Sequence, residues 1–520
     1  MIYATNPILK GFYPDPSICR VGENFYIVNS SFSYFPGVPI WKSTNLADWE
    51  LIGNVLDRES QIPLKGAGHS QGIYAPTIRY HDGIYYMITT NIAGGGNFIV
   101  TANNPEGPWS EPYYLGEEAP GIDPSLFFDE DGRAYYVGTR PNPEGVRYNG
   151  DWEIWVQEID LIAMKLIGKS KAVWKGALKD VIWPEGPHLY RKGEYYYLMI
   201  AEGGTGPNHA VTVARSKEVY GPYENNPNNP ILTHRHLGKD YPIIYVGHAD
   251  LVDDINGNWY LVMLASRRCE GYCGLGRETF LAKVTWEDDW PVANPGIGML
   301  EQTIGLPFEE RGPSQKLVQS LRGLSEKSYD VVMLRNADRS FYQAEDDCVK
   351  IKYQPITLKE LDSPSFLGFR QLSYHYEANL EIVVKEMSSS EETGLVVLQS
   401  NEYHTLLRVK KAHNGEALAL QVVKCINGMD QLLYEYVLDQ LKASDCSRMK
   451  FRILGHDQLA DFILILENNE IPLLVNVDIH EMSTEIAGGF VGNTIGVYAT
   501  SNGQETESVV EIIDFTIYNK

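Results

Sequence analysis

The sequence predicts an all-β protein of two domains, a five-bladed β-propeller followed by an antiparallel β-sandwich. Three observations carry that prediction. A turn followed by aromatic and apolar residues recurs five times before residue 305. All ten Trp lie between Trp41 and Trp290, and 23 of 28 Pro precede residue 305, so the composition breaks there. A chain of 520 residues also exceeds what one compact core holds.

The repeat comes first because it sets the architecture. Its copies are Glu23-Asn24-Phe25-Tyr26-Ile27-Val28, Asp82-Gly83-Ile84-Tyr85-Tyr86-Met87, Asp131-Gly132-Arg133-Ala134-Tyr135-Tyr136, Lys192-Gly193-Glu194-Tyr195-Tyr196-Tyr197 and Asn256-Gly257-Asn258-Trp259-Tyr260-Leu261. Each reads as a hairpin turn entering a strand. A second element precedes each copy: Asp15-Pro16-Ser17, Ala75-Pro76-Thr77, Asp123-Pro124-Ser125, Gly186-Pro187-His188 and His248-Ala249-Asp250. Successive copies start 60, 48, 63 and 62 residues apart, room for about four short strands and hence one propeller blade each. Strand–helix alternation is missing, which disfavours a doubly wound α/β fold.

The expected boundaries are 1–305 for the propeller, 306–324 for a linker carrying Pro307, Gly312-Pro313 and Gly323, and 325–520 for the sandwich. The last segment has strand-like runs such as Leu380–Val384 and Phe462–Leu466. Turn signals at Asn414-Gly415, Asn427-Gly428 and Asn502-Gly503 separate them.

Charge and cysteine content narrow the class of function. The net charge of −24 repels phosphate backbones and anionic lipid, so neither nucleic acid nor a membrane is an expected partner. There is no run of 18 apolar residues and no secretory leader after Met1, so the expected setting is the cytoplasm. The six cysteines (19, 269, 273, 348, 425 and 446) show no disulfide framework and read as free thiols. Cys269-x3-Cys273 has metal half-site spacing but no second half follows it. Tyr 33 and Trp 10 supply strand residues and stacking platforms for sugar rings.

In a propeller the first strand of every blade lines the central channel, so the leading residues of the second element converge on one pocket. These are Asp15, Ala75, Asp123, Glu185 (one place before Gly186) and His248, three of them carboxylates. Clustered carboxylates serve either as a site for a hard cation such as Ca²⁺ or as an acid–base pair. The flanking aromatics Phe12-Tyr13, Tyr74 and Trp183 favour sugar chemistry. Mutual repulsion in a recess keeps one carboxyl protonated near neutral pH, as glycoside hydrolysis requires.

At Tyr13-Pro14-Asp15-Pro16-Ser17, Gly121-Ile122-Asp123-Pro124-Ser125 and Glu185-Gly186-Pro187-His188 the sequence resembles glycoside hydrolase family 43. It is most similar to the two-domain β-xylosidases and α-L-arabinofuranosidases. Gly394–Gln399 and Gly489-Phe490-Val491-Gly492 resemble that family's C-terminal concanavalin-like sandwich. The resemblance implies Asp15 as general base, Asp123 as the acid that tunes and orients the catalytic acid, and Glu185 as general acid. It implies substrate-binding roles for Arg277, Phe32, Tyr74, His248 and Phe490. Where relatives show Trp in a Gly-x-Trp-Ala-Pro segment, this chain has Gly72-Ile73-Tyr74-Ala75-Pro76, a smaller platform that shifts the expectation toward arabinofuranosides.

The expected enzyme is an exo-acting inverting hydrolase releasing terminal pentoses from xylo- or arabinoxylo-oligosaccharides, with the two carboxyls roughly 6.5–9.5 Å apart. No cofactor is required; a calcium ion at His248 and a homo-oligomer are both left open. The alternatives are a non-catalytic sugar-binding propeller and a related propeller hydrolase acting on arabinan or fructosides.

Overall fold

A computed structural model of the protein describes all residues except 239, 336–337, 413–416, 443–446 and 467–468, and of 439–442 and 447 the backbone alone. The turn at Asn414-Gly415 and Cys446 lie outside the described residues. The chain is all-β, with one four-residue helix at Thr484–Ala487 among the described residues.

Five four-stranded antiparallel sheets follow one another in sequence order. Their innermost strands are Ser17–Val21, Thr77–His81, Ile122–Phe128, Glu185–Lys192 and Ile243–Asp253, and these touch one another in a closed ring. Each pairs with the aromatic strand that the repeat motif opens, as His81 with Ile84 and Lys192 with Tyr195. The Asp82-Gly83 turn has φ of 47° and 84°, the mirror-image geometry that suits strand twist and favours Asp-Gly. Rings from these strands pack across to neighbouring blades: Tyr26 of the first on Tyr85 of the second, and Phe127 of the third on Tyr196 of the fourth.

Among the described residues no blade borrows a strand from a distant part of the chain, and a strand pairing at the two ends of the propeller segment ties the ring instead. Ile2–Thr5 pairs antiparallel with Thr303–Leu306. The buried Asn6 amide donates to the Leu281 carbonyl and accepts from the Leu281 N–H.

The sandwich packs an eight-stranded sheet, which includes Tyr376–Val384, Leu459–Leu466 and Val509–Asn519, on a six-stranded one, which includes Ser365–Arg370, Glu392–Leu398 and Thr494–Thr500. Val318–Ser320, within the predicted linker, pairs with Val509–Asn519. Tyr34–Phe35 of the first blade pairs with Met333–Leu334, so a small sheet joins the two halves of the chain. One apolar core runs from Phe35, Ile62 and Met87 into Leu367, Leu395 and Phe451. The sandwich is therefore fixed against blades 1 and 2 by buried apolar surface, a strong and non-directional attachment.

Candidate active site

At one end of the propeller channel lies a cavity of about 420 Å³. Its lining includes the five leading repeat residues Asp15, Ala75, Asp123, Glu185 and His248, together with Phe32, Tyr74, Arg277 and Phe490. The structure thus brings together the catalytic and substrate-binding residues that the sequence named, whereas the flanking Phe12 and Tyr13 are buried in apolar cores and do not line the cavity.

Local backbone geometry aims these side chains. Asp15, Asp123, Gly186 and His248 all sit in the left-handed region, with φ of 51°, 52°, 58° and 50°. For the non-glycine residues this costs on the order of 1 kcal/mol each and is held by the surrounding fold. In blades 3, 4 and 5 a register shift falls at the same place, between Ile122 and Ser125, Glu185 and His188, and Gly247 and Ala249. Such a bulge re-aims a side chain at the end of a strand. Gly186 is required twice over: its φ is positive, and a Cβ there would stand 2.8 Å from the His248 ring.

The three carboxyls sit in different fields. Asp15 Oδ1 is 2.8 Å from Arg277 Nη1, and Asp15 Oδ2 accepts from Ser30 Oγ at 2.6 Å. His248 Nδ1 stands 4.0 Å from Asp15 Oδ1. Burial pushes the Asp15 carboxyl up, but Arg277, His248 and Ser30 outweigh it and hold it below the usual value. Asp123 accepts from the Gly186 N–H at 3.1 Å. Burial, reinforced by the Asp15 charge and opposed by His248, lifts Asp123 to about 6. Burial lifts Glu185 well above the carboxylate range, and the charges of Asp123 and Asp15 add to the effect. One ionised and one protonated carboxyl face the same cavity, the pairing that acid–base hydrolysis uses.

Aromatic rings form one wall. Phe32 stacks on Phe490 with centroids 6.0 Å apart, and Tyr74 meets Phe32 at 5.5 Å and Phe490 at 6.1 Å. The Arg277 guanidinium lies over both Phe32 and Phe490, at 5.6 and 5.4 Å. Phe490 belongs to the sandwich half of the chain, so the wall is built from both halves.

Deeper along the same inner strands the channel is filled. Asp250 accepts from Arg79 Nη1 at 2.8 Å, Arg79 Nη2 at 3.0 Å, Ser17 Oγ at 2.7 Å and Tyr190 OH at 2.6 Å. His188 Nδ1 is 3.1 Å from Arg79 Nη2, and burial lowers His188 to about 3. Side chains from three other blades therefore meet on the Asp250 carboxylate beneath the cavity. Among the described residues, groups with metal-ligand spacing are His404–Cys425–Asp430 and Asp478–His480–Glu481; neither includes His248 or a cavity carboxylate.

Sequence reasoning missed Trp152, Thr205 and His209, which also line the cavity, and noted Trp183 only as a neighbour of Glu185. Thr205 and His209 occupy the loop after Tyr195–Glu202. That strand runs antiparallel to Glu185–Lys192, so its far end must open beside Glu185. Hairpin pairing was a signal that could have found them.

The family model for glycosyl hydrolases family 43 matches residues 4–291. A second, for the beta xylosidase C-terminal concanavalin A-like domain, matches residues 328–518. The chain is 53% identical to a xylosidase/arabinosidase of Butyrivibrio fibrisolvens, over 99% of this chain and 99% of that one. It is 37% identical to a non-reducing end alpha-L-arabinofuranosidase of Bacteroides ovatus, over 96% of this chain and 92% of the relative. The crystal structure of a xylan beta-1,4-xylosidase from Bacillus halodurans superposes with a TM-score of 0.91 at 32% identity, covering 99% of this chain and 100% of that one. The chain belongs to glycosyl hydrolases family 43.

Proposed function

We propose that this glycoside hydrolase removes terminal α-L-arabinofuranose or β-D-xylose from short arabinoxylan-type oligosaccharides, with inversion. The observation that carries the reading is the opposed state of two cavity carboxyls: Arg277 keeps Asp15 ionised while burial keeps Glu185 protonated. Asp15 takes a proton from water as that water attacks the anomeric carbon, and Glu185 gives its proton to the departing oxygen. Asp123 sustains the raised Glu185. The filled channel beneath the cavity suits a chain end rather than a polymer passing through, which supports exo action. The relatives' names span both pentosides, which supports a dual specificity. Two carboxyls supply both proton transfers, so no step draws on a cofactor; a cation beside His248 would act on the site's charge and not in these steps. Among the described residues Cys19, Cys269, Cys273, Cys348 and Cys425 are free thiols, in keeping with a reducing cytoplasm.

Side-by-side kinetics on 4-nitrophenyl α-L-arabinofuranoside and β-D-xylopyranoside, with NMR of the first-formed sugar, test this reading. Turnover with the opposite anomer appearing first is expected. The same anomer appearing first would overturn inversion. Tight pentose binding without turnover would make the protein a sugar-binding module.

A further inference from the structure

Ser70 lies in the segment that joins blade 1 to blade 2, and it grips two walls of the cavity at once. Its hydroxyl oxygen accepts from the backbone N–H of Phe490 at 2.8 Å. Its carbonyl accepts from the Tyr74 hydroxyl at 3.2 Å. The two chains approach closely here: Gly489 has φ of 76°, and a Cβ on it would lie 2.3 Å from Ser70 Oγ. A side chain at Gly489 would push the hydroxyl away from Phe490.

The Phe490 backbone is held at its carbonyl as well. Its carbonyl accepts from Arg277 Nη2 at 3.2 Å, and Arg277 Nη1 reaches Asp15. A continuous path thus runs from Ser70 Oγ through the Phe490 peptide and the Arg277 guanidinium to the Asp15 carboxylate. Phe490 comes from the sandwich, and Ser70, Arg277 and Asp15 from the propeller. The neighbouring His69 makes a parallel contact, its Nδ1 meeting Asn401 N and Oδ1 at 3.2 Å. The His69-Ser70 dipeptide therefore docks two separate sandwich loops.

We propose that Ser70 is a positioning residue: it sets the Phe490 ring over the sugar cavity and orients the Phe490 carbonyl that holds Arg277. The inference rests on the hydrolase reading of the cavity. Ser70 touches no reacting atom, so its effect passes through Phe490. Half-buried and on a connecting segment, Ser70 is not part of a packed core. Alanine there keeps the carbonyl that holds Tyr74 and removes only the acceptor for Phe490.

The test is a double-mutant cycle with Ser70→Ala, Phe490→Ala and both, measured as kcat and KM on the preferred aryl pentoside, with melting temperature alongside. Ser70→Ala is expected to lower kcat/KM about tenfold, the scale of one hydrogen bond, chiefly through KM. Phe490→Ala is expected to cost more, and Ser70→Ala to cost less in that background than in wild type, because only the route through the carbonyl that holds Arg277 remains. Gly489→Ala, which crowds the same hydroxyl, is expected to resemble Ser70→Ala. Wild-type kinetics in Ser70→Ala, or a full additional loss in the Phe490→Ala background, would overturn the proposal. Wild-type protein inactive on every pentoside would instead overturn the hydrolase reading.

Discussion

Arg277 Nη1 lies 2.8 Å from Asp15 Oδ1. The two residues are 262 positions apart, in the last and first blades, so this contact forms only when the propeller closes. Closure is therefore what brings Arg277 to Asp15 and holds its carboxyl below the usual value, as the proposed base requires.

Removing the guanidinium tests that dependence. In Arg277→Met, Asp15 loses the charge that outweighs its burial, so its pKa rises. The base must be ionised, so the acid limb of the kcat/KM profile moves to higher pH. The loss at the optimum is expected to be about 10²–10³-fold, the scale of deleting one well-placed charged donor. An unmoved acid limb would separate Arg277 from the base.

On the proposed assignment Asp123 governs the opposite limb. Its negative charge helps hold Glu185 protonated. In Asp123→Asn that charge is gone, the Glu185 pKa falls, and the alkaline limb of the profile moves to lower pH. Because the two carboxyls titrate together, the wild-type limb belongs to the pair. A pH–rate profile of both proteins checks the direction of the shift.

The channel floor is a stability element. Asp250 is fully buried, and burial raises it, but Arg79, His188 and Tyr190 together hold it far below the usual value. Asp250→Ala leaves Arg79 buried without its partner and is expected to cost about 3–5 kcal/mol in thermal or denaturant unfolding. A group with a depressed folded pKa stabilises above its unfolded pKa and loses that stabilisation as pH falls through its folded value. The gap between wild type and variant therefore narrows in acid. A gap that widened in acid would contradict the ion pair.

The repeat made the propeller and its three carboxyls legible, because Asp15, Asp123 and Glu185 stand at equivalent places in successive blades. Their left-handed backbone was not legible: only Gly186 announces it, while Asp15, Asp123 and His248 adopt the same φ without a glycine. Phe490 was reached through family resemblance alone, since nothing in its local pattern points across to blade 1. Ser70 was missed because it belongs to no repeat position and its partner lies 420 residues away. Tyr34–Phe35 and Met333–Leu334 are short apolar pairs with no alternation, so their pairing across the two halves could not be read from sequence.

The division of labour between Glu185 and Asp15 is tested most directly by changing the leaving group. Glu185→Gln should lose far more rate on a pentose disaccharide, whose leaving alcohol needs a proton, than on the matching 4-nitrophenyl glycoside, whose leaving group departs without one. Asp15→Asn should lose rate on both substrates by about 10²–10⁴-fold, because water activation is needed for either. Equal losses on both substrates in Glu185→Gln, or full activity in Asp15→Asn, would contradict the assignment of acid and base.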